Sequence, residues 1–164
     1  MAGLENFLKT YSAGEEYNTK DFHLEAETNI DSNILADVKK YIGRPVSVEA
    51  GKVIGYNGSS FHGVVANDCG KYGIGIASES IALSKKGVRV VLSGTGLVNG
   101  DLVKITGTGD TAIFSKATPA ELTVAVGKAV GATFLSFEGF NVTPIDFNTS
   151  FIATGAPAPA GDEA

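Results

Sequence analysis

His23, Glu25 and Glu27 fall on one side of a period-two segment, and an imidazole flanked by two carboxylates is a donor set that suits a divalent cation. The same alternation is what any solvated strand face presents, so the trio reads as a polar face and no metal is expected. Cys69 has His62 as its nearest histidine in sequence, and a thiol nucleophile needs such a base. No thiol-enzyme signature surrounds it, which makes it a small buried apolar residue instead. Gly94, Gly96 and Gly100 miss the dinucleotide-binding spacing by one residue. Gly127-Lys128 is followed by Ala129 where a phosphate-binding loop needs Ser or Thr. With two histidines in the chain and no Gly-x-Ser-x-Gly, a hydrolase triad has no support either. The chain therefore reads as a non-enzyme with no catalytic residue and no cofactor.

The elements that would carry any site are mostly strands. Among 164 residues there are 21 Gly and no Trp, and the apolar residues are weighted toward Val, Ile, Ala and Phe, which favours short strands joined by tight turns in one domain. The formal charge of −5, with no cluster of Lys and Arg, argues against gripping nucleic acid through its phosphates. The longest apolar runs are a few residues, far below the roughly 20 that span a bilayer, so no membrane partner is expected. A lone cysteine precludes an intrachain disulfide, and without a basic-plus-apolar leader the chain is expected to be made in the cytoplasm. Sequons at Asn57, Asn141 and Asn148 carry no weight there.

Three regions follow. In residues 1–20, Leu4, Phe7, Leu8 and Tyr11 recur at i, i+3, i+4 and i+7 on one face of a short helix that Gly14 stops. A helix this short is marginal alone in water and needs a surface, either a neighbouring chain, as a docking arm, or its own domain. Residues 21–148 form the β-rich domain. It opens with a half-buried strand from Asp21 and continues with a helix over 32–42, N-capped by Ser32 and stopped by Gly43 and Pro45. Strand candidates follow at 45–49, 51–56, 61–66, 72–77, 79–83, 87–93, 101–106, 111–114, 121–130 and 133–142. Asn57-Gly58 and Asn99-Gly100 are tight-turn pairs whose flanking strands can run antiparallel. The fold class is mainly β, a small barrel or sandwich with one or two short helices and extended termini. Residues 149–164, rich in Ala, Pro and Gly, read as a flexible tail.

The stretch Gly100-Asp101-Leu102-Val103-Lys104-Ile105-Thr106-Gly107-Thr108-Gly109-Asp110, followed by Val126-Gly127-Lys128-Ala129-Val130-Gly131-Ala132, resembles the capsid decoration proteins of tailed bacteriophages, also called cement or auxiliary head proteins. Gly51-Lys52-Val53-Ile54-Gly55 and Gly63-Val64-Val65-Ala66 extend the resemblance over roughly 45–142. It implies a β-barrel or β-tulip domain on the outer surface of an icosahedral virion, often a homotrimer, that bridges neighbouring subunits of the major capsid protein. In that setting Leu4, Phe7, Leu8 and Tyr11 would anchor in an apolar groove of a neighbour, and exposed strand edges would pair with capsid strands. The competing reading is a carbohydrate- or receptor-binding β module resembling a head fibre or adhesin, with Tyr56, Phe61 and Tyr72 as its aromatics.

Overall fold

The computed structural model describes residues 11–15, 17, 23–67 and 81–147. The strands are β1 (His23–Glu27), β2 (Pro45–Glu49), β3 (Lys52–Gly55), β4 (Gly63–Val65), β5 (Ile81–Lys86), β6 (Val88–Leu92), β7 (Leu102–Thr106), β8 (Ile113–Lys116), β9 (Gly127–Ala129), β10 (Phe134–Leu135) and β11 (Asn141–Asp146). They form two antiparallel sheets: a five-stranded one in the order β1-β5-β4-β2-β3, and a six-stranded one in the order β10-β11-β9-β7-β8 with β6 on β11. Both sheets are open, so of the two expected arrangements, barrel and sandwich, the chain adopts the sandwich.

One- and two-residue connections carry the chain between and within sheets. Gly87 alone separates β5 in the first sheet from β6 in the second. Ala50 and Gly51, at φ 49 and 76, form the two-residue turn between β2 and β3, and positive φ at both positions matches the twist of a hairpin. Asn57-Gly58 does not join paired strands, because β3 and β4 both pair with β2 and thus run the same way. Asn57 instead accepts the N–H groups of Ser59 and Ser60 at 3.0 Å on its side-chain oxygen, shaping a longer crossover loop. Asn99-Gly100 likewise links β6 and β7, which are not neighbours.

The expected helix over 32–42 is broken: α1 (Ser32–Ala36) and α2 (Val38–Tyr41) meet at Asp37, whose φ of −152° is extended, and the N-cap is Asp31 rather than Ser32. The expected strand 121–130 is also split. Pro119–Val124 is a 3₁₀ turn, started where Glu121 reaches back to accept the Thr118 N–H at 2.9 Å, and only Gly127–Ala129 is strand. The segment 133–142 is interrupted by a turn between β10 and β11. The expected strand 72–77 and the tail 149–164 lie outside the described residues.

The core follows this layering. Ile34 and Tyr41 of the helices pack with Val46, Val53, Val65, Ile81 and Leu83 of the first sheet. Between the sheets, Val64 meets Val91, Val103, Phe114 and Ile145, and Phe61 and Phe147 lie 6.1 and 5.3 Å from Phe114, ring centre to ring centre. β6 is buried at every residue, because β11 pairs with one edge and Gly14, Glu15 and Tyr17 bond to Val88 and Val90 along the strand. Gly14 donates to the Val90 carbonyl at 2.6 Å, Val90 donates to Glu15 at 2.9 Å, and Tyr17 donates to Val88 at 3.1 Å. A strand covered this way reads as a continuous apolar run. Its one charged residue, Arg89, is 1 % exposed and donates to the Gly14 carbonyl at 3.3 Å.

Candidate functional site

The hairpin from β10 to β11 carries Phe134-Leu135-Ser136-Phe137-Glu138-Gly139-Phe140. Period two in β10 turns Phe134 toward the protein and Leu135 outward, and Leu135, Phe137 and Phe140 stand 63, 83 and 58 % exposed. A turn is ordinarily polar, so large apolar groups held out at its tip signal a contact surface.

The tip is held in shape by its polar atoms. Buried Ser136 donates its N–H to the Phe140 carbonyl at 2.8 Å, while its hydroxyl accepts the Phe140 N–H at 3.1 Å. Gly139 donates to the Ser136 carbonyl at 3.0 Å. The tip is also latched to the N-terminal segment: Phe137 donates its N–H to the Tyr11 carbonyl at 3.2 Å. Partial burial pushes the Glu138 carboxyl up, but hydrogen bonds from the Ser12 hydroxyl, its own N–H, the Ser136 hydroxyl and the Ala13 N–H together hold it below the usual carboxylate range. The Tyr11 ring completes this end, 5.3 Å from Tyr17 and 6.3 Å from Phe134.

Beside the tip, Phe140 and Glu138 border a groove of about 490 Å³ that also involves Ala13, Ile42, Arg44 and Leu92. Burial pushes the Arg44 guanidinium below its usual value, and it donates to the carbonyls of Lys40 at 2.7 Å and Ala112 at 2.9 Å. Lys40 is 3.5 Å from Asp110. The lining of the groove thus joins apolar side chains, Ala13, Ile42, Leu92 and Phe140, to charged ones, Lys40, Arg44 and Glu138.

Of the residues singled out in the sequence, Tyr11 is placed on its own domain at this apolar end, while Leu4, Phe7 and Leu8 lie outside the described residues. Glu25 and Glu27 both pair with Lys85, the second at 3.7 Å, and Glu27 is 3.8 Å from His62. Those carboxylates are engaged by a cation of the protein itself, and no group of three or more metal-ligating side chains occurs among the described residues. Cys69 and Tyr72 lie outside the described residues. Phe61 is packed into the aromatic core, 5.6 Å from Phe147, while Tyr56 borders a second groove of about 390 Å³ with Ser59, Lys104, Thr123 and Val124.

Alternation alone predicts one strand over 133–142 and so hides the hairpin tip. The signal was present in Glu138-Gly139, a turn pair flanked by Phe137 and Phe140 where polar residues belong. Comparison with protein families, with curated proteins and with solved structures finds no match to this chain.

Proposed function

We propose that this chain is a capsid decoration protein, a structural component that binds the outside of a tailed-phage head and bridges neighbouring major capsid subunits. The observation that carries the binding role is the exposed, hydrogen-bonded apolar tip formed by Leu135, Phe137 and Phe140. The capsid as partner rests on the motif resemblance over 45–142.

Magnitudes favour a multivalent mode. Burying the three side chains of one tip against a partner contributes about 4.5–9 kcal/mol at about 1.5–3 each, and association costs about 4–15 kcal/mol in lost rigid-body freedom, which cancels most of that gain. A single tip therefore binds weakly. Several tips presented together, as in a homotrimer on a lattice of matching symmetry, raise the effective concentration of each successive contact and give lasting attachment. Cementing follows, because a junction bound on both sides resists separation by the added interface. The acidic balance, net −5, suits a surface facing away from packaged nucleic acid.

The competing carbohydrate- or receptor-binding reading rests on Tyr56, which lines the second groove together with Lys104 and Thr123. The two separate in one experiment. Purified protein is mixed with phage heads lacking their decoration, and co-sedimentation and head melting are measured beside a glycan-binding screen. Saturable binding with a raised melting temperature supports decoration; a glycan hit without head binding supports the alternative.

A further inference from the structure

We propose that Asn57 is a site of spontaneous, irreversible modification, in which its side-chain amide becomes a carboxylate through a ring closed with the backbone of Gly58, and that Asn99 is protected from the same change. Both residues precede a glycine, and residue type alone ranks them together. The nucleophile distinguishes them. In an Asn-Gly pair it is the glycine backbone nitrogen, which must first lose its proton. The Gly100 N–H is held by the Ala129 carbonyl at 2.8 Å, whereas the exposed Gly58 has no hydrogen-bond partner for its N–H among the described residues.

The electrophile at Asn57 is prepared as well. Its side-chain oxygen accepts the N–H groups of Ser59 and Ser60, both at 3.0 Å, and the Ser59 hydroxyl at 3.1 Å. The bond from the Ser59 N–H closes a ring through Cγ and the Gly58 nitrogen, which curls the amide carbon over the peptide that attacks it. Buried Ser47 accepts the Asn57 N–H at 3.0 Å and donates to the Ser60 carbonyl, fixing both ends of this loop. In the step itself, the deprotonated Gly58 nitrogen bonds to Asn57 Cγ and the negative charge moves to Oδ1. The two backbone N–H groups already aimed at that oxygen stabilise the charge as oxyanion donors do. Collapse breaks the Cγ–Nδ2 bond and releases ammonia, protonated by water, leaving a cyclic imide. Water opens the imide at either carbonyl, giving an aspartate or an isoaspartate, with no change in oxidation state.

The product cannot keep the parent contacts. Asn57 Nδ2 donates to Glu49 Oε1 at 2.8 Å, and a carboxylate in its place sets two negative charges against each other. Gly58 and Ser59 line the second groove with Tyr56, so the added charge arrives in a lining loop of that groove.

The test holds the folded full chain at mildly alkaline pH and follows both Asn-Gly peptides over time by mass spectrometry. Conversion at position 57 is expected to run about tenfold or more ahead of position 99, and the two rates should converge when the chain is kept unfolded in guanidinium chloride. Equal rates in the folded protein, or faster conversion at 99, would overturn the proposal. The consequence is read separately from melting temperatures. Asn57→Asp should melt several degrees below the parent, and adding Glu49→Gln, which offers an amide donor in place of the repelling carboxylate, should recover the loss. An Asn57→Asp chain that melts with the parent would overturn the conflict drawn with Glu49.

Discussion

Phe114 and Phe137 are the same residue type in opposite service. The first is 0 % exposed between the sheets, in ring contact with Phe61 and Phe147, while the second is 83 % exposed on a hydrogen-bonded turn. The cluster around Phe114 stabilises the sandwich, whereas the apolar surface of the tip faces solvent and, in the proposed function, serves for docking. The comparison predicts that substitutions in the two regions separate stability from binding.

The largest effect is expected in the aromatic cluster. Phe114→Ala removes a sealed ring and leaves a cavity, and should lower unfolding free energy by about 3–5 kcal/mol in chemical denaturation. A cost below about 1 kcal/mol would mean that the cluster does not hold the sheets together.

Next comes the strip that ties the N-terminal segment to β6. Gly14 has φ +79°, and a Cβ there would lie 2.8 Å from both the Asn67 nitrogen and Ile42 Cγ2. Gly14→Ala is expected to cost about 1–3 kcal/mol and to raise amide exchange at Val88 and Val90. A neutral outcome would detach this segment from the fold.

A smaller effect is expected at the 3₁₀ turn. Hydrogen bonds from the Lys104 ammonium, then from the Thr118 N–H and hydroxyl, pull the Glu121 carboxyl down to about 2. Because the folded value lies below the unfolded one, near 4.5, the contribution is complete above pH 4.5 and is lost as pH falls toward 2. Glu121→Gln should lower thermal stability slightly at neutral pH and flatten its fall over that acid window, as read from melting temperatures. An unchanged acid profile would place the acid sensitivity elsewhere, with Glu138 the next carboxylate to substitute.

Much of the fold was legible. Strands at 45–49 and 87–93 were readable from Val-rich runs, and Pro45–Glu49 and Val88–Leu92 are where they lie. Sheet order was not, because Asn57-Gly58 shapes its loop through an Asn side chain rather than closing a hairpin, and the hairpin turn itself uses Ala50, a residue with no turn preference. Local residue types fix a turn's φ but not which strands meet across the sheet. The candidate site was less legible still. Periodicity identified Tyr11 as apolar-faced but could not tell what it faces, and Phe137 looked like a strand residue until the turn at Ser136–Phe140 set it outside the sheet.

The most direct test is the triple variant Leu135→Ser, Phe137→Ser and Phe140→Ser, measured for unfolding free energy and for binding to undecorated heads. The account predicts stability within about 0.5 kcal/mol of the parent protein, as expected for exposed positions, with binding reduced at least tenfold. Full binding by a stably folded triple variant would contradict the claim that this apolar tip is the docking face.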